Sequence, residues 1–219
     1  LQHAARLGFR ARDAGDVERE CGIVVLAMGK QGAFELNFSS DIDLVVLFDS
    51  KSPALGGPDE ARRIAVAVAR TLVARLNDQT ADGYVFRTDL RLRPDPGVSA
   101  AAISVAAAEA YYEGYGQNWE RAAYIKARPA AGDIPLGAAF IETMRPFIWR
   151  KYLDFAAIDD IHAILRQVAA GKGEFEKDLA GFDLKRGPGG IRAVEFFAQT
   201  HQLIAGGKNP ALRTRATLD

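Results

Sequence analysis

Two carboxylates one residue apart, Asp41 and Asp43, follow a pair of serines, Ser39 and Ser40. Upstream lies the glycine-rich turn Met28-Gly29-Lys30-Gln31-Gly32, and downstream the apolar run Leu44-Val45-Val46-Leu47-Phe48. A β-rich run directly after the acids predicts that they stand where a strand begins. Side chains alternate faces along a strand, so Asp41 and Asp43 are expected to point the same way, with Cα atoms about 6.5–7 Å apart. Two hard oxygen ligands on one face suit Mg²⁺, which binds through one or two carboxylates and completes its shell with substrate phosphates. An acidic strand edge facing water has the same spelling. Three neighbours argue for chemistry: Ile42 and Leu44 bury the opposite face, the serines can donate to a phosphate, and the glycines let backbone N–H groups approach an anion. Gly29, Lys30, Gly32, Ser39 and Ser40 are therefore the candidate phosphate- and nucleotide-binding residues, around a metal held by Asp41 and Asp43.

A third acid follows in residues 83–94, whose alternation predicts a strand ended by Pro94 and Pro96. In a regular strand Arg87, Asp89, Arg91 and Arg93 share one face, with Phe86, Leu90 and Leu92 on the other. A surface ion-pair ladder would read alike. Beside the first two acids, however, Asp89 completes a set suited to nucleotidyl transfer, in which two divalent ions clamp the attacking and leaving oxygens. Arg87, Arg91 and Arg93 would offset the repulsion between anionic reactants.

The elements that must position these groups can be outlined. Gly22-Ile23-Val24-Val25-Leu26-Ala27 reads as a buried strand. A short helix is expected around residues 33–37, a loop over 49–58, and a long helix over 59–77 with Ala61, Ile64, Ala65, Val68, Leu72 and Leu76 on one face. Ser104 is a plausible N-cap for a helix through Tyr112, and 119–128 is helix-like. From residue 135 the pattern is helical: 136–152, 155–170 and 191–205. The fold class predicted is α+β, a mixed sheet with helices followed by an all-α region. The boundaries are 1–20 for the end of a preceding helix and linker, 21–133 for the sheet domain, and 134–219 for the start of a helical domain.

Composition narrows the classes. With 219 residues, 48% hydrophobic and 26% charged, the chain is an ordinary globular sequence. A formal net charge of zero argues against broad nucleic-acid binding. The single Cys21 excludes a disulfide framework and fits a reducing compartment such as the cytoplasm; at a strand start it reads as packing. The histidines lack metal-ligand spacing, and no run is apolar enough to cross a membrane. The chain opens on Leu1 inside a charged, helix-like stretch with no signal peptide, which suggests a piece of a longer polypeptide.

Glycine turn, serine, D-x-D and a later third acid resemble the DNA polymerase β-like nucleotidyltransferase superfamily. Residues 28–44, from Met28-Gly29-Lys30 through Glu35-Leu36-Asn37-Phe38-Ser39-Ser40-Asp41-Ile42-Asp43-Leu44, resemble more closely the signature of the bifunctional glutamine synthetase adenylyltransferase/adenylyl-removing enzymes. Asp89-Leu90-Arg91-Leu92-Arg93-Pro94 is similar to a second block, Tyr111-Tyr112 with Trp119-Glu120-Arg121 and Lys126-Ala127-Arg128 to a third, and Gly189-Gly190-Ile191-Arg192 with Glu195-Phe196 to a fourth. Arg150-Lys151-Tyr152-Leu153-Asp154-Phe155 and Arg192 look like the N-terminal, adenylyl-removing half. Ala27 stands where a glycine is usual, and Gln31, Ala33 and Phe34 alter the turn.

The resemblance implies phosphorolysis of adenylylated tyrosine on glutamine synthetase, giving ADP. Asp41, Asp43 and Asp89 would be catalytic and hold Mg²⁺, and Arg91 or Arg93 would bind the attacking phosphate. Glutamine synthetase, ATP or ADP, inorganic phosphate and a PII signal protein are the implied partners. The rivals are the adenylylating half using ATP, and a catalytically silent module that senses nucleotide or PII. Glu35 and Asn37 are read as braces of the turn, and Trp119, Tyr111 and Tyr112 as packing residues. Lys126 and Arg128 could face the phosphate or solvent, and Lys185 and Arg186 precede a helix start that favours anions.

Overall fold

The computed structural model describes residues 18–151, 183–185, 187 and 189–218. The expected 155–170 helix, Arg186, and nearly all of the expected N-terminal helix lie outside them. A five-stranded mixed sheet is the frame. Strand β1 (Ile23–Ala27) is followed by a single helical turn, α1 (Gly29–Gly32), and by β2 (Ile42–Phe48). β1 pairs antiparallel with β2 on one side and with β5 (Arg128–Gly132) on the other. Two very short strands share the outer edge of β2: β3 (Thr88–Asp89) pairs with its start and β4 (Ile103–Ser104) with its end, both parallel to it.

β1 and β2 are apolar at nearly every position because both sheet faces are covered. On one face lies helix α2 (Pro58–Asn77), which buries Ala61, Ile64, Ala65 and Ala69 against Val25, Ile42, Leu44 and Val46. Its start has Pro58 in the first turn followed by Asp59 and Glu60, the order that suits the free N–H groups and positive end of a helix. On the other face Val24, Leu26, Val45 and Leu47 pack with Tyr112, Tyr124, Phe140, Ile148 and Leu203. These come from α3 (Val105–Gly114), α4 (Asn118–Ile125), α5 (Ile134–Thr143), α6 (Arg145–Ile148) and α7 (Ile191–Ala205). Gly137 of α5 lies so close to Val24 and Pro129 that a β-carbon there would sit 2.7 Å from the valine methyl.

Several expectations need correction. The strand expected over 83–94 shrinks to Thr88–Asp89, because Arg91 and Arg93 fold back on their own loop. The short helix falls at 29–32 rather than 33–37, closed by Phe34 at φ 61°. The helix-like stretch expected over 119–128 ends at Ile125, and Arg128 opens a strand that runs to Gly132. The helix expected over 136–152 breaks at Met144, with Pro146 in the first turn of the next piece, since proline has no N–H to continue the hydrogen-bond ladder of the preceding helix. The long helix, the Ser104 cap and the 191–205 helix form as expected; Ser104 Oγ accepts from Ala107 N at 3.3 Å.

Candidate active site

The three acids converge at the start of β2. Parallel pairing places Asp43 directly opposite Asp89. Asp43 is the second residue of β2, while Asp41 precedes the strand and is exposed. Burial, and then the charges of Asp89 and Asp41, push the Asp43 carboxyl up to about 6. Like charges that face one another in a half-buried site disfavour ionisation of the most enclosed member. Arg91 and Lys185 oppose that rise.

Two arginines offset the other acids. Arg87 Nε donates to Asp41 Oδ1 at 2.5 Å, and its Nη2 donates to the Ser39 carbonyl. Arg91 grips Asp89 from Nε and Nη2, at 2.8 and 2.5 Å to Oδ2, and holds that carboxyl below its ordinary value. The Arg91 side chain is itself 84% exposed. Arg93 turns away, contrary to the expectation of a phosphate ligand: its guanidinium donates to the carbonyls of Leu90, Pro96, Ser99 and Ala100. It holds the loop that follows Asp89.

Gly29 has φ +50°, and a β-carbon there would lie 2.7 Å from Asp43 Oδ2. The glycine thus lets the turn rest on the central carboxylate, and Met28 N donates to the Asp43 carbonyl at 2.9 Å. Gly32 serves packing: a β-carbon would meet the Lys126 carbonyl at 2.0 Å. Ser39, in left-handed backbone at φ 57°, faces the Tyr84 hydroxyl at 3.4 Å, and Ser40 N donates to the Asn37 carbonyl. Lys30 lines a 720 Å³ cavity between the turn and α7, with Phe34, Leu36, Ile191 and Val194. With Lys185, Arg192 and Glu195 it also lines a smaller cleft.

Lys126, whose direction the sequence left open, is buried and bonded to Glu35 and Glu195. Arg128 stacks over the Phe34 ring at 3.9 Å and donates to the Gln31 carbonyl. Both brace the turn, as does Glu35. Tyr112 packs as expected, with its hydroxyl on that of Tyr124, whereas Trp119 is 42% exposed.

Among the described residues, no three His, Cys, Asp or Glu side chains close around a point as a preformed metal cage. The donors nevertheless suit a divalent cation: Asp43 and Asp89 are neighbours in register, their charges repel, and Mg²⁺ requires only one or two carboxylates.

Residues 2–143 match the family model of glutamate-ammonia ligase adenylyltransferase, and residues 160–218 match that of the GlnD PII-uridylyltransferase. The first match alone covers well over half of the chain. The chain belongs to the glutamate-ammonia ligase adenylyltransferase family. Among its relatives is the bifunctional glutamine synthetase adenylyltransferase/adenylyl-removing enzyme of Rhizobium meliloti, 56% identical over 95% of this chain and 21% of that protein. That of Agrobacterium fabrum is 59% identical over 90% of this chain and 20% of the relative. That of Xanthobacter autotrophicus is 53% identical over 100% and 22%. The chain spans about a fifth of the length of these relatives. No helix among the described residues is long and apolar enough to cross a membrane.

Proposed function

We propose that the shelf formed by Asp41, Asp43 and Asp89 carries out magnesium-dependent nucleotidyl transfer on glutamine synthetase, in a polymerase β-like nucleotidyltransferase fold. The direction proposed is removal: inorganic phosphate attacks the phosphorus of an AMP-tyrosyl group, the tyrosyl oxygen leaves, and ADP and free tyrosine result. The observation that carries the reading is the register of Asp43 against Asp89, with Asp41 just before the strand and an arginine on each outer acid. The names of the relatives supply the protein substrate.

Asp43 and Asp89 would hold the cation, with Asp41 completing the set. A bound divalent ion polarises phosphoryl oxygens and offsets the charge that develops on them. Gly29 keeps Asp43 in place, because any side chain there would displace its carboxylate. Arg91 is exposed beside the acids, where it can accompany a second anion toward the first. Phosphate arrives already anionic and a tyrosyl oxygen of pKa about 10 is a fair leaving group, so this direction asks more of cations than of a general base. The serines at 39 and 40 and Lys30 are assigned to the phosphates of the nucleotide. ATP, ADP and phosphate are the small-molecule partners, and a PII protein belongs to the same proposal.

The deciding experiment offers the protein adenylylated glutamine synthetase with phosphate and Mg²⁺, and separately unmodified glutamine synthetase with ATP. Release of ADP in the first reaction, lost in Asp41→Asn, is expected. Incorporation of AMP in the second without release in the first would assign the opposite direction.

A further inference from the structure

The ammonium of Lys126 is the centre of a four-way junction. The residue is 3% exposed. Its Nζ donates to Glu35 Oε2 at 2.8 Å, to Thr217 Oγ1 at 2.8 Å and to Glu195 Oε1 at 3.4 Å. Thr217 in turn donates from its backbone N to Glu35 Oε1 at 2.7 Å and from Oγ1 to Oε2 at 3.0 Å. Burial would raise the Glu35 carboxyl, but the bonds from Lys126 and Thr217 outweigh it and hold it below its ordinary value. The partners come from regions far apart in sequence: the segment after the glycine turn, α7, and the C-terminal segment.

The main chain of Lys126 meets the same turn. Its carbonyl fills the space beside Gly32 that a β-carbon would need, and Glu35 N closes back on the Lys30 carbonyl at 2.8 Å. At the other end of the turn Gly29 rests on the Asp43 carboxylate. A continuous chain of contacts therefore runs from α7 and residue 217, through Lys126 and Glu35, into the turn and onto the central acid. A buried cation shared by two carboxylates is poor evidence of stability in itself. Its value here lies in specifying one placement of three segments.

We infer that Lys126 is a positioning residue: by tying Glu35 to Glu195 and Thr217, it makes the placement of the glycine turn on Asp43 depend on the seating of α7 and the C-terminal segment. For catalysis this rests on the proposed nucleotidyl transfer, whereas the mechanical coupling does not. The test uses the full chain with Lys126→Met and, in case that variant fails to fold, Glu195→Gln, which keeps the Lys126–Glu35 bond and loosens only the tie to α7.

Backbone hydrogen exchange is the first readout. Both variants should speed exchange over residues 28–36 and over 191–218 together, while β2 stays as in the wild type. Turnover is the second: kcat should fall about tenfold or more in Glu195→Gln, with KM for phosphate and nucleotide changing less than about threefold, as expected when placement rather than binding is lost. Unchanged exchange over 28–36 in folded Glu195→Gln, despite faster exchange in α7, would overturn the coupling. A wild type without turnover on adenylylated glutamine synthetase would instead defeat the reaction proposed above and leave the exchange result to decide this inference.

Discussion

Charge is handled in opposite ways on the shelf of acids and in the helix α4 behind the sheet. At the shelf, Asp41, Asp43 and Asp89 stand together and the middle carboxyl is raised to about 6. In α4, Arg121 is fully buried, yet its guanidinium donates to the Phe147 carbonyl at 2.9 Å, the Ile148 carbonyl at 3.1 Å and Asn118 Oδ1 at 3.0 Å. The arginine takes up the carbonyls left free where α6 ends. Glu120 beside it accepts from Gln117 N at 2.8 Å and from the Tyr111 hydroxyl, closing its own helix start in a capping box. Both groups belong to blocks that resemble the family signature in the sequence. On the shelf Arg87 and Arg91 pair with the outer acids while the central Asp43 has no bonded cation among the described residues, and like charge gathered in that way is what a cation would relieve.

The sharpest break of this contrast is Asp43→Asn. Removing the central proposed ligand should cut turnover about a thousandfold, the several kcal/mol that a Lewis acid contributes, and should abolish Mn²⁺ binding measured by paramagnetic resonance. Arg121→Met should do the reverse. It leaves buried carbonyls without donors and should lower stability by roughly 3 kcal/mol in denaturant melts, with Mn²⁺ binding retained in whatever protein is folded.

A third outcome concerns pH. The folded state raises the Asp43 carboxyl from 3.8 to about 6, so it binds that proton more tightly than the unfolded chain does. The stability from this group is fully present below about pH 4 and is lost as pH rises through 6. Metal-free wild type should therefore fall relative to Asp43→Asn by on the order of 2 kcal/mol across that window, and saturating Mg²⁺ should remove the difference. The smallest effect on the fold belongs to Arg91→Gln. The pair it breaks is exposed and worth little, so the melting temperature should stay put while the phosphate concentration needed for half-maximal turnover rises about tenfold.

Much of the shelf was legible in the chain. An acid pair flanked by apolar residues and followed by a β-rich run marks where a strand starts. The third acid was legible as a residue but not as a place. Its predicted strand depended on Arg87, Arg91 and Arg93 sharing a face, and each arginine instead found a different acceptor: Asp41, Asp89 and a set of loop carbonyls. Side chains that bond locally compete with extended backbone, and periodicity does not register that competition. Helix α2 was legible because small apolar residues recur at helical spacing, whereas β5, with Pro129 and Gly132, has the composition of a turn. It is a strand because β1 offers it an edge. Lys126 shows another blind spot. A lysine between Ile125 and Ala127 invites a solvent reading, and its partners at positions 35, 195 and 217 become neighbours only once the sheet and α7 are in place.

The brevity of β3 has a consequence of its own. Two rungs of pairing hold Asp89 to the sheet, and the long connection between α2 and β4 is tied beside them by Asn77 to Thr88 and by Phe86 N to the Leu76 carbonyl. An ion shared by Asp43 and Asp89 would act as a rivet for that connection. Its binding energy would be divided between gripping the ion and fastening the loop, and protease cleavage around Arg87 and Arg91 would become a gauge of site occupancy.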